Sequence, residues 1–114
     1  MREMAGAVRK DGKAPGKTLA VFGGMHGNER VGVRAIEHLV STLSVLRGTV
    51  HLVYANPPAI EKNVRLVDAN LNRLFDRGIK GDTYEYARAL ELMDLLDSCD
   101  ALLDIHSYNS PTGD

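Results

Sequence analysis

The sequence has no tryptophan, a single cysteine, four prolines and few aromatics, which make up 5% of the chain. With Cys99 alone, no internal disulfide can form, which fits a reducing compartment such as the cytoplasm. No apolar run approaches the ~18 residues that a membrane span requires. The N-terminus carries charges but no apolar h-region, so no secretory signal is expected. Charge of one sign is missing too: 14 basic residues stand against 15 acidic ones. This balance offers no electrostatic argument for nucleic acid or for an anionic membrane as a partner. No internal repeat or low-complexity segment is visible. What remains is a chain of 114 residues, 44% hydrophobic and 25% charged, the profile of one small globular domain.

Its most informative stretch is Thr-Leu-Ala-Val-Phe-Gly-Gly-Met-His-Gly-Asn-Glu, residues 18–29. The apolar run Leu19–Phe22 reads as a strand buried on both faces. Gly23-Gly24 provides a sharp turn, since no Cβ obstructs it. From Arg30 to about Leu46, Val33, Ile36, Val40 and Leu43 recur at helical spacing, with Leu39 and Leu46 widening the stripe. Asn28 suits the N-cap, and Gly48 suits a helix stop.

Elsewhere the signals are simpler. Met4 to Val8 fits a short strand, joined by the Asp11-Gly12 turn to the next strand as a hairpin. Thr49 to Ala55 is rich in β-branched and aromatic residues and reads as a strand. Asn56-Pro57-Pro58 ends it, and Ala59 to Asn63 fits a helical turn. Residues 64–82 show no sustained period, and long irregular stretches in compact domains are often functional. Asp82 to about Ser98 reads as a helix, with Asp82 and Glu85 in a capping box and Tyr86, Leu90, Met93 and Leu96 as the buried stripe. Ala101 to Ile105 is a last apolar strand, followed by His106-Ser107 and a polar tail. The alternation of strand and helix points to α/β architecture with a partly parallel sheet.

Ligands of α/β folds gather at the carboxyl ends of strands. His26 with Glu29, and His106, all follow such ends. Two imidazoles and one carboxylate suit a catalytic zinc ion that keeps one position open for water. Taken singly, each residue has a plainer reading: Glu29 favouring a helix N-terminus, His26 as a polar turn residue, His106 closing a strand end. Asp104 fits either a hydrogen-bond partner of His106 or a buried acid. His38 and His51 sit in helix and strand patterns and read as structural.

Four motifs in order, Gly-Gly-Met-His-Gly-Asn-Glu, Asn-Pro-Pro-Ala, Arg65 with Asp68 and Asn70-Leu-Asn-Arg-Leu-Phe, and Asp-Ile-His-Ser, resemble the succinylglutamate desuccinylase/aspartoacylase family, which belongs with the zinc carboxypeptidases. The resemblance implies a three-layer α/β/α zinc-carboxypeptidase-like sandwich, here incomplete. It implies one Zn2+ per chain on His26, Glu29 and His106. Arg65 and the pair Asn72-Arg73 correspond to residues that bind the substrate carboxylate and the carbonyl oxygen under attack. The reaction implied is hydrolysis of the amide of an N-acyl amino acid, a small-molecule substrate. A carboxypeptidase or peptide amidase using the same metal core is the nearest alternative, and a non-catalytic metal-binding fragment the more distant one.

Two departures stand out. Asn70 occupies a position that is usually acidic in the family. The family also carries a general-base glutamate in a later part of its domain, and no residue here corresponds to it; Glu85 and Glu91 lie on a helix flank. Residues 1–114 are therefore expected to form a single partial domain, the N-terminal portion of the catalytic unit. Such a portion should expose a sheet edge and tend to self-associate.

Overall fold

Ala20, Val21 and Phe22 lie at the centre of the molecule, shielded on both faces of the sheet. The computed structural model describes residues 4–107. Its elements, in chain order, are β1 (Ala7–Asp11), β2 (Ala14–Gly23), α1 (Arg30–Thr42), β3 (Arg47–Tyr54), α2 (Pro57–Lys62), α3 (Tyr84–Asp97) and β4 (Ala101–Ile105), with a short 3-10 turn at Leu71–Arg73. The sheet order is β1-β3-β2-β4. β2 runs parallel to both β3 and β4, while β1 pairs antiparallel with β3. The tail expected beyond Ser107 lies outside the described residues.

Alternation along β2 sorts the core into two layers. Ala20 and Phe22, with Val53 and Ala55, pack against Leu71 and against Ala89 and Leu92 of α3. Val21 and Leu52 point the other way, onto Ile36 of α1. The result is a mixed sheet between helical layers, the incomplete α/β/α sandwich expected.

The hairpin expected at Asp11-Gly12 does not form. The chain does bend there, but β3 inserts between β1 and β2 and takes hydrogen bonds from both. Gly12 crosses the start of β3, donating its N–H to Gly48 O at 2.8 Å. A Cβ at Gly12 would stand 2.7 Å from Arg47 N, so only glycine passes this close.

α1 ends at Thr42 rather than near Leu46, and Gly48 belongs to β3 instead of stopping the helix. The hydroxyls of Ser41 and Thr42 both bond back to His38 O, and the last turn gives way to an extended Leu43. Leu46, placed on the helical stripe by spacing, is exposed. Nor does Asn28 cap α1; the cap position falls on Glu29, whose side chain is turned elsewhere.

α3 is capped by Thr83 and not by Asp82, through Tyr86 N–H donating to Thr83 Oγ1 at 3.1 Å. Its buried residues are Glu85, Arg88, Ala89 and Leu92; Tyr86, Leu90, Met93 and Leu96 are only half-buried. The expected stripe was displaced because two of the most buried positions are charged. Arg88 donates from Nε to Ala55 O and from an Nη to Tyr54 O, both at 2.9 Å, and so finishes the carboxyl end of β3.

Candidate metal centre

The strand ends bring the site together. In the parallel register of β2 and β4, Gly23 is opposite Ile105, so both strands leave the sheet at one level. Gly24, at φ +76°, then turns the chain through backbone space that disfavours a side chain. Gly23 lies directly beneath Gly32 of α1, where a Cβ would come 2.3 Å from the Gly32 carbonyl oxygen. One added to Gly32 would meet Ile105 O at 2.7 Å. The first turn of α1 is thus pressed onto the ends of β2 and β4 together. This close seating places Glu29 beside the residue that follows β4.

Glu29 holds two imidazoles. Its Oε2 lies 2.7 Å from His26 Nδ1, and its Oε1 lies 3.1 Å from His106 Nδ1. Ser107 N–H donates to Oε1 at 3.1 Å, and an Nη of Arg65 stands 3.7 Å from Oε2. One ligand atom from each of His26, Glu29 and His106 falls within 4.8 Å of the others. His26 and Glu29 are buried, while the His106 side chain is 34% exposed and opens the cluster to solvent.

The far nitrogens of both rings are engaged. His26 Nε2 meets Asn70 Oδ1 at 2.9 Å, and His106 Nε2 meets Asp104 Oδ2 at 2.9 Å. All of these partners are oxygen acceptors, and a neutral imidazole can donate from one nitrogen only; with the proton on Nε2, each Nδ1 presents a lone pair to Glu29. Two lone pairs aimed at one carboxylate repel unless something positive lies between them. A cation in the place of the two Nδ1 protons would satisfy all of these acceptors at once. The donor set therefore fits a divalent metal, and rings fixed by an oxygen on the far nitrogen are typical of metal-ligating histidines.

Burial pushes the Glu29 carboxyl up, yet the Ser107 N–H and His26 outweigh it and hold the group below its ordinary value. Burial likewise pulls His106 down, but the Asp104 and Glu29 carboxylates prevail and raise it. Both shifts favour the charged forms, as expected of an anion set between two rings.

Of the residues singled out for substrate, Arg65 reaches the cluster. Asn72 and Arg73 lie on the 3-10 turn that follows Asn70 and are exposed; among the described residues neither side chain has a hydrogen-bond or ion-pair partner. His38 and His51 stand apart from the cluster, on α1 and β3. Asn56 caps α2 and reaches Glu85, a loop-shaping role in keeping with its sequence context.

Asn70 and Glu85 carry more of the site than their sequence contexts indicated. Asn70, noted only as a departure, is the direct partner of His26. Glu85 is buried and bonded to the backbone of the Arg65–Asn70 segment. No local signal marked it, since a carboxylate on a helix face reads as solvated. Among the described residues no helix is long and apolar enough to cross a membrane.

The chain is similar to known proteins over most of its length. Mouse aspartoacylase is 36% identical over 89% of this chain, which spans 37% of that enzyme. The solved succinylglutamate desuccinylase of Chromobacterium violaceum superposes with a TM-score of 0.76 at 26% identity, over 89% of this chain and 36% of that one. A tripeptide-bound cell shape determinant protein from Helicobacter pylori superposes at 0.78 with 27% identity, over 89% of this chain and 26% of that one. The chain thus spans between about a quarter and little more than a third of the length of these relatives. Residues 15–112 match the succinylglutamate desuccinylase/aspartoacylase catalytic domain, so the chain that carries this two-histidine, one-glutamate cluster belongs to that family.

Proposed function

We propose that this chain forms the metal-holding part of a zinc-dependent hydrolase that cleaves the amide bond of an N-acyl amino acid. Zinc would be held by His26, Glu29 and His106. The observation that carries the reading is the pair of Nδ1 atoms converging on Glu29 while each Nε2 is tied to an oxygen. When bound, the metal supplies Lewis acidity toward a substrate carbonyl and acidifies water.

The chain's own residues do the rest. Asn70 and Asp104 fix the two rings and their tautomers. Arg65, at the rim and half-exposed, presents a guanidinium fork suited to a carboxylate. Arg73 and Asn72, exposed on their turn, would share with Arg65 the binding of the substrate carboxylate and of the carbonyl oxygen under attack, where a cation stabilises developing negative charge. The names of the relatives support deacylation of an amino acid. Glu85 and Glu91 do not serve as general base: the first is committed to backbone N–H groups and the second to Arg88. We place the protein in the cytoplasm, in keeping with its lone thiol, and treat residues 1–114 as one portion of the catalytic domain.

Elemental analysis after equilibration with zinc, paired with hydrolysis assays on a panel of N-acyl amino acids, tests the proposal. The expected result is one zinc per chain with turnover near background, since a base is still required. Zinc with rapid hydrolysis would make these 114 residues sufficient. A chain that retains no zinc at micromolar concentration overturns the metal assignment. The tripeptide-bound neighbour favours one alternative, hydrolysis of a peptide at the same centre, and short peptides belong in the panel for that reason.

Self-association is also proposed. Among the described residues β4 has one hydrogen-bonded neighbour, and Leu102 and Leu103 are 43% and 53% exposed on its opposite faces. An open apolar edge of this kind pairs readily with another strand. Light scattering should show mass rising with concentration, and Leu103→Lys should suppress the rise. A constant monomer mass for the unmodified chain would refute it.

A further inference from the structure

Glu85 is 0% exposed in the first turn of α3, yet its carboxylate does not cap that helix. It accepts four hydrogen bonds: from Asn56 Nδ2 at 3.1 Å and from the backbone N–H groups of Val67, Asp68 and Ala69 at 2.7, 3.0 and 3.1 Å. A carboxylate offers about four lone-pair sites, so it is fully used. Among the described residues no lysine or arginine forms an ion pair with it. Burying an unpaired carboxylate is costly unless donors replace water, and here three of the four donors are consecutive amides of one loop. Burial pushes the group up, but those donors outweigh it and hold Glu85 ionised.

The loop has few other attachments. Val64 N–H donates to Ala59 O, and Gly27 N–H donates to Arg65 O. Past Ala69, the next contact is Asn70 Oδ1 on His26 Nε2. Glu85 therefore grips the backbone between Arg65, which reaches Glu29, and Asn70, which orients His26. Apolar packing cannot supply this hold, because three adjacent N–H groups need acceptors.

We propose that Glu85 is a positioning residue of the metal centre: its carboxylate fixes residues 67–69 so that Asn70 holds the His26 ring in its ligating orientation. This rests on the zinc reading above. A merely structural Glu85 would lower stability without touching the centre, and the two are separable.

The test compares the unmodified chain, Glu85→Gln, Asn70→Ala and the double variant, using zinc competition against a chromophoric chelator and amide hydrogen exchange. Glutamine keeps the shape but turns an NH2 toward amides that need an acceptor. Glu85→Gln should weaken zinc about 10-fold, within the 10–100-fold range for partners of metal ligands. In the Asn70→Ala background it should weaken zinc no further. The amides of Val67, Asp68 and Ala69 should exchange faster while those of β2 do not. Unchanged zinc affinity, fully additive losses, or unchanged exchange at residues 67–69 would each overturn the proposal. If the unmodified chain binds no zinc, the metal reading fails on its own, and the exchange arm still decides whether Glu85 fixes the loop. Glu85→Asp, with its oxygens retracted by one methylene, replaces a glutamine variant that does not fold, under the same expectations.

Discussion

His106→Ala should reduce zinc affinity by more than ~100-fold, because even the outer partners of metal ligands are worth 10–100-fold. It removes one of three converging donors and leaves the sheet intact: His106 follows β4, is a third exposed and packs into neither core layer. Chelator competition measures the loss, and Asp104→Asn is the graded control, since it perturbs the ring's far nitrogen and keeps the donor. A His106→Ala chain that binds zinc as tightly as the parent would remove His106 from the ligand set. Without metal, pH gives a second readout. The folded His106 is raised above its unfolded value. Its contribution to stability is therefore complete below the unfolded value and is lost as pH rises through the folded one. The metal-free parent should exceed His106→Ala in stability at mildly acidic pH and lose that margin above the raised value.

The largest loss of stability should come from Arg88→Met. The Arg88 side chain is 1% exposed and donates to Ala55 O, Tyr54 O and Glu91 Oε1. Methionine keeps much of the packing and none of the donors. Two carbonyls at the end of β3 are then left without the guanidinium, and each buried group stripped of its partner costs about 1–3 kcal/mol, so a total of about 2–6 kcal/mol is expected. Urea unfolding should show a lower midpoint with an unchanged slope. Arg88→Lys should recover only part, because one ammonium cannot reproduce a planar fork that serves two carbonyls at once. A change below about 1 kcal/mol would show that water satisfies those carbonyls equally well.

Much of the site could be read in the residues because its signals are local. Leu19–Phe22, the glycine turn and the start of α1 adjoin in sequence, and Ala101–Ile105 ends immediately before His106. Parallel pairing of β2 with β4 then did the joining. Features that depend on distant partners were hidden. Nothing within Met4–Asp11 reveals that β3, some forty residues on, will insert beside it, so a turn signal read as a hairpin. Glu85 and Arg88 invert the apolar pattern of α3, since a buried charge looks like a solvated one until its hydrogen bonds are known. Asn28 appeared to be a cap because the cap position was assigned by residue preference. Glu29 takes that position and turns its side chain to the histidines, leaving Asn28 Oδ1 buried and without a partner among the described residues.

The strand order has a consequence for synthesis. As the chain leaves the ribosome, β1 and β2 emerge before β3 and have no partner in each other. Each waits for β3, and β2 waits again for β4, near the end of the described chain. Non-local pairing of this kind slows folding, because a long loop must close before any ladder bond forms. During that interval the apolar half of β2 is unpaired. The nascent segment around Leu19–Phe22 is thus where a holding chaperone would be expected to bind.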